Sequence, residues 1–572
     1  MAIQDTIPVT ITIRDTTIAQ ANFGTPLVLA YHTNFVGEVR EYNADASGLS
    51  AMVTDGFAVT SDPYRKVAAI ASQSPHCSSV KVAARVAPTQ QVLQYTPKWT
   101  TVGRIVRLSF ELTGVTTTVS YTPIAADDAE DIVDGLITAL GTVAGVTISK
   151  SGSGSAAVLV LTRTTPGEER IYPISAVGLG LEDVSVDPGA PVVVTTTEAS
   201  PAVQRYPIDL SDTPLGGGRD VVLESMTVTI TTCGTAGSTV LELTYGDVPV
   251  AIADTEVTVP HDATDPYTVT LTAADFGLVT LTGGDDSLAI NVTSAATDVA
   301  GLSVAVTVHD VEAGVDAELA AAQLIDPDFY GVLIDTEKAS EIVSAATWCE
   351  ANEKLFAALS GDENNTVADS GVAHTISAAG RNRTSVWVTR NIQGQLAAAI
   401  MGRQFSQDAG SSTWAHKQLS GPVADAWTAT EFSALRGDGE GDRGNGACTY
   451  VADQGLSHTY DGFAASGRFL DITRGIDWLK STIRQALLVA LVSVEKIRYS
   501  DAGTAVLEAA LAGRLSAAEG RALLEPGWAV IRPAVSTQAA ADRAARVYRN
   551  LAFTGTLSGA IHKVPITGDV SV

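Results

Sequence analysis

The feature that most constrains this chain is a change of periodicity near residue 314. Before it, Val221–Thr231, Ser238–Tyr245, Tyr267–Leu271, Ser287–Val292 and Leu302–Val308 are strand-like runs at short spacing, broken by Gly, Asp and Pro. No helical period interrupts them for long, which predicts an antiparallel β-sandwich. After it, apolar residues recur as strands flanked by helices. Phe329–Ile334 (FYGVLI) reads as a buried strand, Lys338–Leu359 as a helix and Ser385–Thr389 (SVWVT) as a strand. Residues 393–406 and 421–436 read as helical. Gly475–Arg498 is the longest helix, with Ile476, Leu479, Ile483, Leu487, Leu491 and Val494 on one stripe. Helix Ala505–Leu515 follows, and Ser516–Glu519 spells a capping box that opens a further turn. Gly527–Ile531, Ala552–Leu557 and Ala560–Val572 close the chain as strands. Helix-flanked strands predict a mixed sheet with helices packed on it.

A chain of 572 residues that holds both patterns is too long for one core, so an α+β multidomain protein is expected. Ile7, Val9, Ile11 and Ile13 alternate with polar residues as a strand, and Pro8 suggests an edge position. Leu27–Ala30 reads as a short buried strand, Ala46–Thr54 as a helix and Tyr64–Ala71 as a strand or linker. Residues 97–190 read as a compact α+β unit. Its hairpin joins Val102–Leu112 to Val115–Tyr121 at a Thr-Gly. A helix carrying Ile132, Leu136, Leu140 and Val143 follows, then strands Val146–Lys150 and Ala157–Thr164. The expected division is 1–96, 97–200 (α+β), 201–312 (β-sandwich) and 313–572.

Charge narrows the function. Lys and Arg total 36 against 64 Asp and Glu, a net −28. Residues 1–380 hold 16 basic and 47 acidic side chains, and residues 381–572 hold 20 and 17. An acidic bulk repels phosphate backbones, so nucleic-acid binding is not expected. The nearly neutral part is where close self-packing meets least repulsion. Cys77, Cys233, Cys349 and Cys448 show no pairing rhythm and read as reduced thiols. The sequence MAIQDTIPVTITI has no basic start or apolar run of a signal peptide, and no apolar stretch reaches membrane-spanning length. A soluble protein made in the cytoplasm, with no membrane insertion, is the expectation.

The motifs of catalysis and metal binding do not assemble. Gly437–Gly446 (GDGEGDRGNG) lacks the Lys-Ser/Thr of a phosphate loop and the terminal Glu of an EF-hand. It reads as a surface loop, with a weak cation site as the lesser reading. The histidines, His32, His76, His261, His309, His374, His416, His458 and His562, form no ligand pair in sequence. Asp471, Arg474 and Asp477 flank Trp478 in RFLDITRGIDWLK and read as caps and first-turn charges of the long helix. No catalytic residue, cofactor or metal is expected. The informative positions are Val9, Ile11 and Ile13, and Val564, Ile566, Val570 and Val572. They lie on two alternating strands, able to pair with a neighbouring chain's sheet edge or with each other.

The succession GRFLDITRGIDWLKSTIRQALLVAL, EKIRYSDAGTAVLEAALAGRL, EPGWAVIRP and LAFTGTLSGAIHKVPITGDVSV resembles the tail sheath proteins of contractile-tailed bacteriophages. The resemblance implies a mixed α/β core built from the N- and C-terminal parts, with inserted domains outside. It implies strand arms at 9–13 and 561–572 that complete sheets in neighbouring subunits, and stacked hexameric rings around a tail tube protein. Baseplate and tail terminator proteins would be the other partners, and the virion the location. The implied function is mechanical: contraction drives the tube through the host envelope. Three other readings compete: a related virion part or a phage-derived secretion device, a carbohydrate-binding protein, and a hydrolase. The long helices disfavour a tube protein, and the absence of Trp from 201–310 disfavours a carbohydrate platform.

Overall fold

The computed structural model describes residues 23–564, apart from 36, 86–90, 165–169, 186–191, 199–201, 203, 211–220, 236, 246–247, 250–255, 261–263, 273–278, 282–287, 296–298, 311–313 and 438–441. The chain forms two compact units, one of residues 1–185 with 319–572 and one of residues 186–318.

The larger unit is built on an eight-stranded sheet. In chain order its strands are β1 (Pro26–Tyr31), β2 (Val39–Asn43), β3 (Ser79–Arg85), β4 (Gly331–Ile334), β5 (Leu355–Ser360), β6 (Thr384–Val388), β7 (Ala447–Asp453) and β8 (Leu456–Tyr460). The spatial order is β2-β3-β1-β4-β5-β6-β7-β8, parallel from β3 through β7 with antiparallel strands at both edges. Every residue of β4, β5 and β6 is buried. That is why Phe329–Ile334 and Ser385–Thr389 show no alternation in the sequence. Helices α1 (Ala46–Thr54), α2 (Asp62–Ala71), α3 (Ala339–Ala351) and α4 (Leu396–Phe405) connect or cover the strands, and α5 (Leu470–Val492) and α6 (Asp501–Gly520) follow them.

Several boundaries differ from the sequence expectation, each for a local reason. Tyr64–Ala71 is helical, part of α2, which begins at Asp62-Pro63. Proline in a first turn gives up no hydrogen bond. Lys338–Leu359 is two elements: α3 ends at Ala351, Glu353 takes a left-handed φ of 54°, and the chain enters β5. Residues 421–428 are not helical; Asp425 bridges Val451, and the helix starts at Ala429 under a Thr428/Glu431 capping box. Helix α5 starts at Leu470, so Gly475 lies inside it. A Cβ there would meet Leu523 at 2.4 Å and the Gly410 backbone at 3.1 Å, so a side chain would force the two segments apart. Ser516–Glu519 opens nothing, because α6 is continuous from its cap at Ser500. Of the closing strands, Gly527–Ile531 shortens to Ala529–Ile531 and Ala552–Leu557 to Ala552–Thr554, while 560–564 are not strand.

Between β3 and β4 the chain builds an α+β layer. Its hairpin, Val106–Leu112 with Val115–Tyr121, turns on Thr113 and Gly114, both at positive φ. Helix Ala129–Leu140 carries the Asp128/Asp131 capping box and buries Ile132, Leu136 and Leu140. This layer shares a hydrophobic core with the large sheet. Buried charges cluster at the carboxyl ends of the parallel strands, and the Arg170–Glu337 pair joins the layer to the sheet. Arg85 reaches Asp335 at 2.9 Å and Glu341 at 3.0 Å, and Arg170 reaches Glu337 at 2.9 Å and Asp183 at 3.5 Å. Open α/β sheets usually hold ligands at this crevice. Here Arg170, Tyr172 and Asp183 of the added layer fill it, with the Tyr172 hydroxyl donating to Asp62 at 3.2 Å.

The smaller unit has two five-stranded antiparallel sheets. One is Val192–Glu198, Ala300–Asp310, Val221–Thr232 and Tyr267–Thr272, with Val279–Leu281 beside Val221–Thr232. The other is Arg205–Pro207, Leu288–Ser294, Ser238–Tyr245 and Val248–Pro249, with Glu256–Pro260 beside Ser238–Tyr245. Met226, Val228 and Ile230 of the first share one core with Leu241, Leu243 and Ile290 of the second, so the sheets pack face to face. Residues 186–318 hold two basic and 20 acidic side chains, a net −18.

Candidate assembly surface

Helix α5 divides into two halves of different character. Leu470, Thr473, Arg474, Asp477, Trp478, Leu479, Lys480 and Ile483 are buried. Beyond Ile483 the apolar stripe moves outward: Leu487, still packed on the core, and Leu491 are half-buried, and Val492 beside the stripe is 76% exposed. The buried half is fixed by charge. Asp477 accepts both guanidinium nitrogens of Arg383, Nη2 at 2.9 Å, and the Tyr330 hydroxyl at 2.7 Å. Burial alone would lower the pKa of Arg383, but the Asp477 carboxylate outweighs it and raises it. Asp477 is therefore a buried bidentate partner tying α5 to β6, not the first-turn charge its position in the sequence suggests.

The same end of α5 holds the roots of both candidate arms. Arg474, fully enclosed, donates through Nε (3.1 Å) and Nη2 (2.9 Å) to the carbonyl of Phe23, and through Nη1 (2.9 Å) to that of Gln404. Its environment is desolvated enough to pull its pKa down to about 10. Phe23 is the first described residue, and its ring meets Tyr330 at 5.0 Å. At the other end of the chain, the His562 ring sits edge-on to Phe469 at 4.8 Å, and its Nε2 lies 2.8 Å from Thr413 Oγ1. Two residues on, Val564 is 70% exposed. Val9, Ile11, Ile13, Ile566, Val570 and Val572 lie outside the described residues.

Beside these roots stands a two-stranded ribbon, β9 (Ala529–Ile531) against β10 (Ala552–Thr554), antiparallel and extended by a bridge between Leu524 and Leu557. Val530 and Phe553 turn inward onto the core, leaving Ile531 and Thr554 exposed. The ribbon is braced on α6 by Arg532 Nε to Glu508 (2.6 Å), Trp528 Nε1 to Glu519 (2.6 Å) and Val535 N to Asp501 (2.9 Å). Among the described residues, no strand pairs with either outer edge of the ribbon. Nine of the 21 exposed large apolar side chains among the described residues fall within 489–564, the stretch of chain that contains this ribbon.

The groups with perturbed titration are tied into structure elsewhere. Burial pushes Glu337 up to about 7 against the opposing pull of Arg170, pushes Asp425 up to about 6, and lowers Lys354 to about 8, where its Nζ donates to Pro327 O at 3.0 Å. All four cysteines are buried, and burial raises the Cys77 and Cys448 thiols to about 12. Three histidines distant in sequence, His416, His458 and His562, come together, a grouping without any sequence signature. Of the run 437–446, Asn445 is built into the core, donating to Asn365 O and Val367 O at 2.7 Å each. Among the described residues no three His, Cys, Asp or Glu are placed to hold a metal, and no helix is long and apolar enough to cross a membrane.

No protein-family model matches the chain, and no curated protein is similar to it in sequence. Among solved structures, the chain is similar to a sheath tail protein from Listeria innocua, at 9% identity and a TM-score of 0.37, over 88% of this chain and 86% of that one. It is also similar to a chain of the anti-feeding prophage baseplate, at 12% identity and a TM-score of 0.32, over 45% of this chain and 73% of that one.

Proposed function

We propose that this chain is the sheath subunit of a contractile phage tail, a structural protein that works by polymerising. The observation that carries the reading is the arrangement around α5. Phe23, which follows the alternating segment 9–13, and His562, which precedes the alternating segment 563–572, are both held at one end of that helix, and no strand among the described residues pairs with the outer edges of the ribbon. An open edge offers a row of backbone N–H and C=O groups to another strand. Segments 9–13 and 563–572 of one copy would supply those strands to the ribbons of its neighbours. Four or five backbone bonds at roughly 0.5–1.5 kcal/mol each give several kcal/mol per donated strand. The exposed stripe of α5 and the apolar residues around the ribbon would be buried in the same contacts. Stacked hexameric rings around a tube, and contraction that repacks subunits while the strand links hold, complete the reading.

Negative-stain microscopy tests it. Full-length protein at rising concentration, alone and with a tube partner, should form hollow tubes or stacked rings. A variant lacking Lys563–Val572 should stay a folded monomer. Tubes of normal appearance from that deletion would refute the strand links.

A further inference from the structure

The His416–His458–His562 cluster holds the last described residues of the chain, 561–564. His416 stands between the other two, its ring 5.2 Å from His458 and 5.9 Å from His562. Its Nε2–H donates to the carbonyl of His562 at 3.2 Å, and His562 Nε2 meets Thr413 Oγ1. These side-chain bonds hold the chain just before Val564, and the neighbouring Ile561 is 81% exposed. His458 Nδ1 donates to the carbonyl of Thr459 at 3.0 Å, which leaves its Nε2 as the basic atom.

The surroundings disfavour a positive charge on His562. Lys417 on the same loop as His416, and Arg443 stacked on Phe469 at 5.4 Å, bring fixed positive charge. Asp461, just after β8, opposes this effect on His562 but is engaged by Arg436 at 2.6 Å, and Asp471 at the start of α5 acts on Lys417. Tyr460 packs on His416 and His458. Protonation would therefore place like charges side by side with little to balance them. Burial, and then His416, already lower the affinity of His562 for a proton.

We propose that these histidines form a proton-operated catch on the root of the C-terminal segment. Neutral, they hold residues 561–564 on the body; protonated, they let the segment go. The direction follows from linkage: a histidine that takes up a proton less readily when docked makes docking stable above its ordinary value of about 6.5 and weaker below it. The catch belongs to the single chain and stands whether or not the segment joins a neighbour.

Tryptic cleavage after Lys563 reads it directly, on dilute full-length protein, with release of fragment 564–572 followed by mass spectrometry. Rates at about pH 7.5 and about pH 5.5, either side of the histidine range, are normalised to a free peptide of residues 557–572. The normalised rate should rise at least about fivefold at the lower pH. His416→Gln with His458→Gln, which removes the ring beside His562 and keeps a donor at 416, should reduce that rise to the part set by burial of His562. His562→Ala should be cut rapidly at both pH values. An unchanged wild-type rate, or an equal rise in the double variant, overturns the proposal. Matching tryptophan spectra establish that the variants are folded.

Discussion

The buried contact between Asp477 and Arg383 gives the sharpest stability prediction. Both side chains are less than 10% exposed and the pair is bidentate, so removing either partner strands the other in the core. Breaking such a pair typically costs about 3–5 kcal/mol, while replacing both by apolar groups is often close to neutral. The two single losses differ. Asp477→Leu leaves a guanidinium that cannot shed its proton, so the full roughly 3–5 kcal/mol is expected at any ordinary pH. Arg383→Met leaves a carboxylate that can take up a proton, so its loss should be smaller at about pH 5 than at about pH 7.5. The double variant should lose about 1 kcal/mol or less, far below the sum of the single losses, giving a coupling of about 5 kcal/mol or more at about pH 7.5. All seven tryptophans lie outside residues 186–318, so urea unfolding followed by tryptophan fluorescence reports the larger unit alone. Additive single losses, with a coupling under about 0.5 kcal/mol, would refute the argument that this pair fixes α5 to β6.

Other consequences are independent of that pair. Arg474→Lys keeps the charge but not the fork that spans two carbonyls; losing about 1.4 kcal/mol there should speed chymotryptic cleavage after Phe23 about tenfold. Glu337 has a pKa raised to about 7 by burial, from an ordinary 4.5. Its contribution to stability is complete below about 4.5 and lost as pH rises through about 7. Glu337→Gln should therefore flatten the pH dependence of stability between those values, and an unchanged slope would contradict the assignment. The thiols of Cys77 and Cys448, raised to about 12 and enclosed, should not react with a disulfide reagent at about pH 8 until urea unfolds the chain. Reaction of the native protein within minutes would show these sites to be open.

Much of the fold was legible because local chemistry and tertiary context agree. Helix Ala46–Thr54 and strand Ser238–Tyr245 have the bounds read from the sequence, the hairpin turns at the expected Thr-Gly, and the acidic-capped helix buries Ile132, Leu136 and Leu140 as expected. The failures are places where two periods fit one apolar run. KLFAALS continues the pattern of α3, and only the left-handed turn at Glu353 separates helix from strand. Ser516-Ala-Ala-Glu519 has the letters of a cap, but nothing in those letters shows that the helix was already running. The surface was less legible than the elements. Alternation at 9–13 and 563–572 marked the candidate arms, but the residues that root them did not stand out. Arg474 meets a carbonyl 451 residues away, and His562 meets Thr413 149 residues away. Contacts at such separations leave no local signature; only the fold assembles them.

The central claim, that segments of one copy complete the ribbon of another, is tested most directly by cysteine crosslinking in assembled material. Thr554→Cys on β10 would be combined in turn with Val564→Cys, Lys563→Cys and Ile566→Cys, then oxidised and run without reductant. Paired strands bring opposite Cα atoms to about 4.5–5.5 Å, within disulfide reach. The account predicts a ladder of covalent dimers and higher multimers whose yield alternates along the segment, as side chains alternate across a strand. Monomers closed within one chain, or no crosslink at any position in well-formed tubes, would contradict it.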